Sequence, residues 1–135
     1  MPPFLLDTCA VIWIAEGSLL REPAVSELPK VREGDIFVSP ISAWEIANLA
    51  TKGKISLAMS PENWFERICD QLSIALAEMP PSVLMASATL PGNPPADPAD
   101  RILLATAREF GYTLVTRDAH LLEYGGQGHA RVMGC

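Results

Sequence analysis

The sequence predicts an α/β fold, a helix-flanked sandwich around a mostly parallel sheet. Three observations carry this. Short apolar runs recur along the chain at Phe4-Leu5-Leu6, Asp35 to Ser39 and Thr113 to Val115. A helical pattern comes after each run, and glycine or proline punctuates the units.

The elements follow in order. Phe4 to Leu6 reads as a buried strand, and Asp7-Thr8 can cap the apolar helix Cys9 to Glu16, which Gly17 stops. The strand Asp35 to Ser39 passes through Pro40 into a helix near Ala43 to Ala50, with Gly53 just beyond it. Ser60-Pro61 opens the amphipathic helix Glu62 to Leu72, proline being favoured in the first turn. Ile74 to Ala77 reads as a strand and Ser82 to Thr89 as a helix. Residues 91 to 98 form a stiff loop holding four of the twelve prolines. A helix from Asp100 to Phe110 stops at Gly111 and is followed by the strand Thr113 to Val115. A short helix at His120 to Tyr124 and a last strand at Arg131 to Met133 complete the pattern.

Composition narrows the function classes. The length of 135 residues fits one domain, and 49% apolar with 19% charged residues is ordinary for a folded globular chain. Cys9, Cys69 and Cys135 are odd in number and far apart, which excludes a disulfide framework and a zinc knuckle and fits a reducing cytoplasm. No signal peptide and no stretch of about 18 apolar residues is present, so neither export nor membrane insertion is expected. A net charge of −6 argues against a broad basic nucleic-acid surface. Four carboxylates belonging to a metal site would account for most of that charge, and bound cations would supply the positive charge that phosphate requires. An acidic surface also suits a basic protein partner.

Sites in open α/β sheets form beyond the carboxyl ends of the strands, and the polar residues there are mostly acids. Asp7 follows the first strand, Glu45 lies early in the helix after the second, Asp97 and Asp100 begin the helix after the proline loop, and Asp118 follows the Thr113 strand. Carboxylates gathered at one edge repel each other unless a cation compensates them. All-oxygen ligation selects a hard ion, Mg²⁺ or Mn²⁺, over zinc. Such a centre activates water and clamps phosphodiester oxygens, which points to hydrolysis of a nucleic-acid backbone.

Each acid also has a structural reading. Asp7 could simply cap a helix, Ser42 and Glu45 match a capping box, and Asp118 could be a turn residue. Asp97 before Pro98 is a cap signature that leaves Asp100 free in the first turn, and Asp97 could also pair with Arg101. All of these readings must hold together to displace the metal site. Lys52, Lys54, Arg101 and Arg117 are candidates for steering RNA phosphates, with a solvated surface as the alternative. Trp13, Trp44, Trp64 and Phe65 lie in apolar helical patterns, as core or partner-facing residues, and His120 reads as structural.

Four segments then carry a resemblance: Leu5-Leu6-Asp7-Thr8, Ile41-Ser42-Ala43-Trp44-Glu45-Ile46, Asp97-Pro98-Ala99-Asp100-Arg101 and Val115-Thr116-Arg117-Asp118. In this order and spacing the chain resembles the PIN-domain ribonucleases, specifically the VapC-like toxins of bacterial toxin-antitoxin pairs. The resemblance implies one PIN-like α/β/α domain over residues 1–135. It implies that Asp7 and Asp100 hold Mg²⁺, that Glu45 and Asp118 complete the acidic pocket, and that Thr8, Ser42 and Thr116 are supporting hydroxyls. It further implies RNA cleavage that blocks translation, a homodimer, and a cognate antitoxin whose tail crosses the site. The loop Gly92-Asn93-Pro94-Pro95-Ala96 departs from many relatives, which place glycine or histidine just before Asp97. Two other classes compete. One is an aspartyl-nucleophile phosphatase, which usually wants a second acid two residues after Asp7, where Cys9 stands. The other is a non-catalytic metal-binding interaction module.

Overall fold

The computed structural model describes residues 2–135. Five parallel strands form one sheet in the order β3-β2-β1-β4-β5. They are β1 (Phe4–Leu6), β2 (Ile36–Val38), β3 (Ala75–Leu76), β4 (Thr113–Thr116) and β5 (Val132–Gly134). The helices are α1 (Thr8–Glu16), α2 (Ala24–Glu27), α3 (Pro40–Thr51), α4 (Pro61–Gln71), α5 (Pro81–Ser87), α6 (Pro98–Phe110) and α7 (Ala119–Gly126). This is the expected three-layer α/β/α sandwich, and parallel strands need such crossovers because a tight hairpin cannot join them.

The central strand β1 is buried along its whole length because both of its faces are covered. Phe4 and Leu6 point into one core with Val11, Val38, Val115 and Met133, against which Trp13, Trp64 and Phe65 pack. Leu5 points to the opposite face, where Leu103, Leu104, Ala107, Leu114, Leu121 and Tyr124 form a second core. A Leu5→Ala change would cost about 2–5 kcal/mol at so central a site.

Local chemistry explains the helix ends. Ser60 caps α4 through Asn63 N, with Pro61 in the first turn. Gly111 takes φ 73° and ends α6 directly before β4, a backbone conformation in which an added Cβ is costly.

Two expectations are corrected. Helix α3 begins at Pro40, not near Ala43, because Ser39 accepts from Ile41 N and serves as the cap. Ser42 is therefore inside the helix and buried, and the Ser42/Glu45 capping box does not form. The short helix α2 and the 3₁₀ turn Leu28–Lys30 stand where no element was read. No helix among the described residues is long and apolar enough to cross a membrane.

Candidate active site

The carboxyl edge of the sheet gathers the helix N-termini that follow β1, β2 and β4. The ladder continues one residue past β1, as Asp7 N donates to Val115 O at 3.0 Å, and this places the Asp7 side chain above the sheet edge. Asp7 Oδ1 accepts from Ala10 N at 2.7 Å, capping α1, while Oδ2 accepts from Thr116 Oγ1 at 2.5 Å. The helix-cap role is thus real, and it occupies only one carboxylate oxygen.

Glu45 is half-buried on α3 and accepts from Thr8 Oγ1. Thr8 Oγ1 also lies 2.9 Å from Ser42 Oγ. A hydroxyl has a single proton, so when Thr8 gives it to the ionised Glu45 the proton between the two hydroxyls must come from Ser42. The acceptor-only carboxylate sets the direction of this chain, and Thr8 and Ser42 are both buried.

Asp97 caps α6 through Ala99 N at 3.4 Å, and Asp118 caps α7 through Leu121 N at 3.0 Å. Asp118 N donates to Thr116 Oγ1 at 3.1 Å, so one hydroxyl touches both the first and the last of these acids. Asp100, in the first turn of α6, receives no hydrogen bond among the described residues.

Electrostatics shows how close these groups lie. The Asp100 carboxyl is pushed up to about 7 by burial first, then by the charges of Asp97, Asp118, Glu45 and Asp7. Burial also raises Asp7, with Asp118 adding to it and the hydrogen bonds from Thr116 and Ala10 opposing it. Glu45 is raised by burial and by Asp97 and Asp7, against the Thr8 hydrogen bond. The neighbouring Cys9, exposed at the rim of the site, has its thiol pushed up to about 11 by partial desolvation and by the charges of Asp7, Glu45 and Asp100. Among the described residues the one ion pair is Lys30 with Glu27, so none of these acids is salt-bridged, and the charge of Arg117 opposes the rise of Asp7 alone, as the smallest of the influences on it. The positive ends of α1, α3, α6 and α7 relieve part of the repulsion.

Among the described residues, no three Asp, Glu, His or Cys groups close around a single point tightly enough to enclose an ion as they stand. Asp7, Asp97 and Asp118 are instead each turned onto local donors, Ala10 N and Thr116 Oγ1, Ala99 N and Leu121 N. The donor set is hard oxygen, under-compensated in charge, with Asp100 held by no donor, which fits a hard divalent cation.

The basic candidates behave differently. Arg101 does not pair with Asp97; its Nε donates to Pro95 O at 2.7 Å and a terminal nitrogen reaches Ser87 O at 3.4 Å. Arg117 donates to Cys135 O at 2.7 Å and stacks over Trp13 at 3.9 Å. Both guanidinium groups, candidates for steering phosphates, are thus also engaged within the fold. Lys52 and Lys54 are exposed, and Lys52 lies about 10 Å farther along the α3 axis than Glu45 at 1.5 Å per residue. His120 is exposed, and its Nε2 lies 3.3 Å from Asn93 O. Sequence reasoning missed Ser39 as the α3 cap, although Ser39-Pro40 carries the same signal as Ser60-Pro61.

A parallel sheet whose carboxyl edge carries acids on separate crossover helices defines a class, and comparison agrees: the PIN domain family model matches residues 4–127, and the chain belongs to that family. Within it the chain is VapC-like, being 35% identical to Ribonuclease VapC22 of Mycobacterium tuberculosis over 122 residues, 90% of this chain and 91% of the relative. Two solved structures share the fold. A toxin-antitoxin complex from Klebsiella pneumoniae aligns with TM-score 0.63 at 20% identity, covering 96% of this chain and 94% of that one. VapBC2 from Rickettsia felis, bound to a DNA fragment from its promoter, aligns with TM-score 0.66 at 12% identity, covering 97% of each chain.

Proposed function

We propose that this protein is a Mg²⁺-dependent endoribonuclease, with Mn²⁺ as a working substitute, and the toxin of a toxin-antitoxin pair that cuts RNA to block translation. The observation that carries the reading is the mutual repulsion of Asp7, Glu45, Asp97, Asp100 and Asp118, none of them salt-bridged among the described residues, which Arg117 eases slightly at Asp7 and no side-chain cation eases at Glu45 or Asp100. Kinship with a ribonuclease at 35% identity adds the substrate class.

Asp7 and Asp100 would hold the cation, with Glu45 and Asp118 completing the pocket. When bound there, a hard divalent cation supplies the charge that lowers the pKa of water and steadies phosphodiester oxygens. The chain's own contribution is orientation. Thr116 aims Asp7 and anchors the backbone at Asp118, and the Ser42 to Thr8 hydroxyl pair aims Glu45. Asp97 tightens the first turn of α6 beneath Asp100.

Partners fit the remaining surface. An apolar cavity of about 390 Å³, lined by Leu6, Ile14, Leu20, Ala24, Leu28 and Ile36, offers an antitoxin a place for apolar side chains. The net charge of −6 favours a basic partner. Trp44 at 61% exposure, with exposed Leu76, Leu84 and Met85, leaves apolar surface for a homodimer.

Cleavage of RNA by the purified chain, with Mg²⁺, with Mn²⁺ and with chelator, tests the chemistry alongside Asp7→Asn and Asp100→Asn. Cutting that needs the metal and both acids is expected, and equal cutting by both variants would sink the assignment. Induction without a partner should arrest bacterial growth, and co-expression of a cognate antitoxin should restore it.

A further inference from the structure

We propose that Arg101 is a positioning residue of the acidic centre, stapling the first turn of α6 so that Asp100 is presented to a divalent cation, and not a contact for RNA. The proposal rests on the metal-dependent reading above.

Arg101 follows Asp100 directly, so the two side chains leave the helix about 100° apart. The half-buried guanidinium turns back toward the loop that precedes the helix. Its Nε donates to the carbonyl of Pro95, a buried residue two positions before Asp97. A terminal nitrogen reaches the carbonyl of Ser87, the last residue of α5, where the helix end favours a cation. One planar fork thus joins the end of α5, the proline loop and the first turn of α6.

The rest of the loop is equally constrained. Tyr124 Oη donates to Pro91 O at 2.6 Å, fixing the start of the loop to α7. Gly92 packs so closely on His129 that a Cβ there would stand 2.4 Å from Nε2. Pro94 and Pro95 lock two φ angles between these anchors. Arg101 closes the far end, immediately before the residues that carry Asp97 and Asp100. Without it, the loop is pinned at its start and loose where the acids begin, and metal sites tolerate displacements of only about 0.5 Å.

The test compares Arg101→Lys and Arg101→Met with wild type in the full chain. Three quantities are read: Mn²⁺ affinity without RNA, exchange of the amides of residues 99 and 101, which donate to Asp97 Oδ1 and Asp97 O, and RNA binding in chelator across a salt series. Lysine keeps the charge but lacks the fork that spans two carbonyls, so it should not rescue. Both variants are expected to bind Mn²⁺ about ten- to a hundred-fold more weakly, the usual cost of losing an outer support. Those two amides should exchange faster, while RNA binding keeps its salt dependence. Arg108→Met, which removes a comparable bond to His129 O elsewhere on α6, should leave Mn²⁺ affinity at the wild-type level.

Unchanged Mn²⁺ affinity and exchange, with a salt slope reduced by about 1, would make Arg101 a phosphate ligand and overturn the proposal. An equal loss of Mn²⁺ affinity in Arg108→Met would reduce Arg101 to general stability and overturn it as well. If Arg101→Met does not fold, Arg101→Lys alone carries the comparison. Failure of wild type to bind Mn²⁺ would defeat the metal reading itself, and amide exchange, which needs no metal, would still decide whether Arg101 holds the turn.

Discussion

Thr116 Oγ1 donates to Asp7 Oδ2 at 2.5 Å, joining residues 109 positions apart in sequence. Thr116 is fully buried, and its hydroxyl is also the acceptor for Asp118 N. Replacing it with valine keeps the shape and removes both bonds. Thr116→Val should lose about 1–3 kcal/mol of stability, because it strands a buried carboxylate oxygen and an amide. RNA cleavage should fall by roughly ten- to a hundred-fold, as for a lost metal-site support. Thr116→Ser, which restores the hydroxyl, should recover most of both in urea unfolding and cleavage assays.

Asp100→Asn separates function from stability. The neutral amide removes one member of a repelling set, so the variant should lose cleavage yet melt higher than wild type in chelator at pH 8. A gain of about 1 kcal/mol would appear as roughly 4 °C in a chain of this size. A lower melting temperature at that pH would contradict the repulsion deduced for the site.

The pH dependence of the metal-free protein follows with its sign. The folded Asp100 carboxyl sits at about 7 against its ordinary 3.8, so between these values the folded state keeps a proton that the unfolded state has lost. Stability in chelator should therefore fall as pH rises from about 4 to about 7 and then level off. Asp7 and Glu45 are displaced in the same direction and add to the slope. A divalent cation competes with those protons, so stabilisation by added Mg²⁺ should grow across the same interval. Thermal melts with and without Mg²⁺ across that pH series would read both trends.

Gly92→Ala tests the loop anchor. Gly92 has φ 71°, which costs an L-residue about 1–2 kcal/mol, and the new methyl would press on the His129 ring. That ring cannot swing freely, because it packs on Tyr124 with centroids 4.8 Å apart. A lower urea midpoint is expected, with cleavage reduced through the displaced Asp97 and Asp100.

How much of this was legible in the sequence depended on the range of the interaction involved. Asp97-Pro98 and Ser60-Pro61 announced α6 and α4 because caps act over two or three residues. Ser39-Pro40 carried the same message, yet Ser42 and Glu45 three residues apart imitated a second cap and drew the predicted start of α3 toward Ala43. The short helix α2 escaped because four residues next to Pro23 show no helical period. Strand order could not be read at all, since β1 pairs with β2 and β4 through ladders that span most of the chain. Acids following strands were legible as a cluster because the fold class alone assigns them an edge. The partners of Arg101 and Arg117 were not legible because a long side chain chooses them from whatever folds beside it, here carbonyls of Pro95, Ser87 and Cys135.

The bond between Thr116 and Asp7 also sets when, along the growing chain, the acidic edge can be assembled. Strand β1 leaves the ribosome first, but β4 and its hydroxyl follow only after more than a hundred further residues have been translated. Until then a nascent fragment carries Asp7 without the neighbour that orients it. The carboxyl edge of the sheet is therefore completed only when nearly the whole chain has been made.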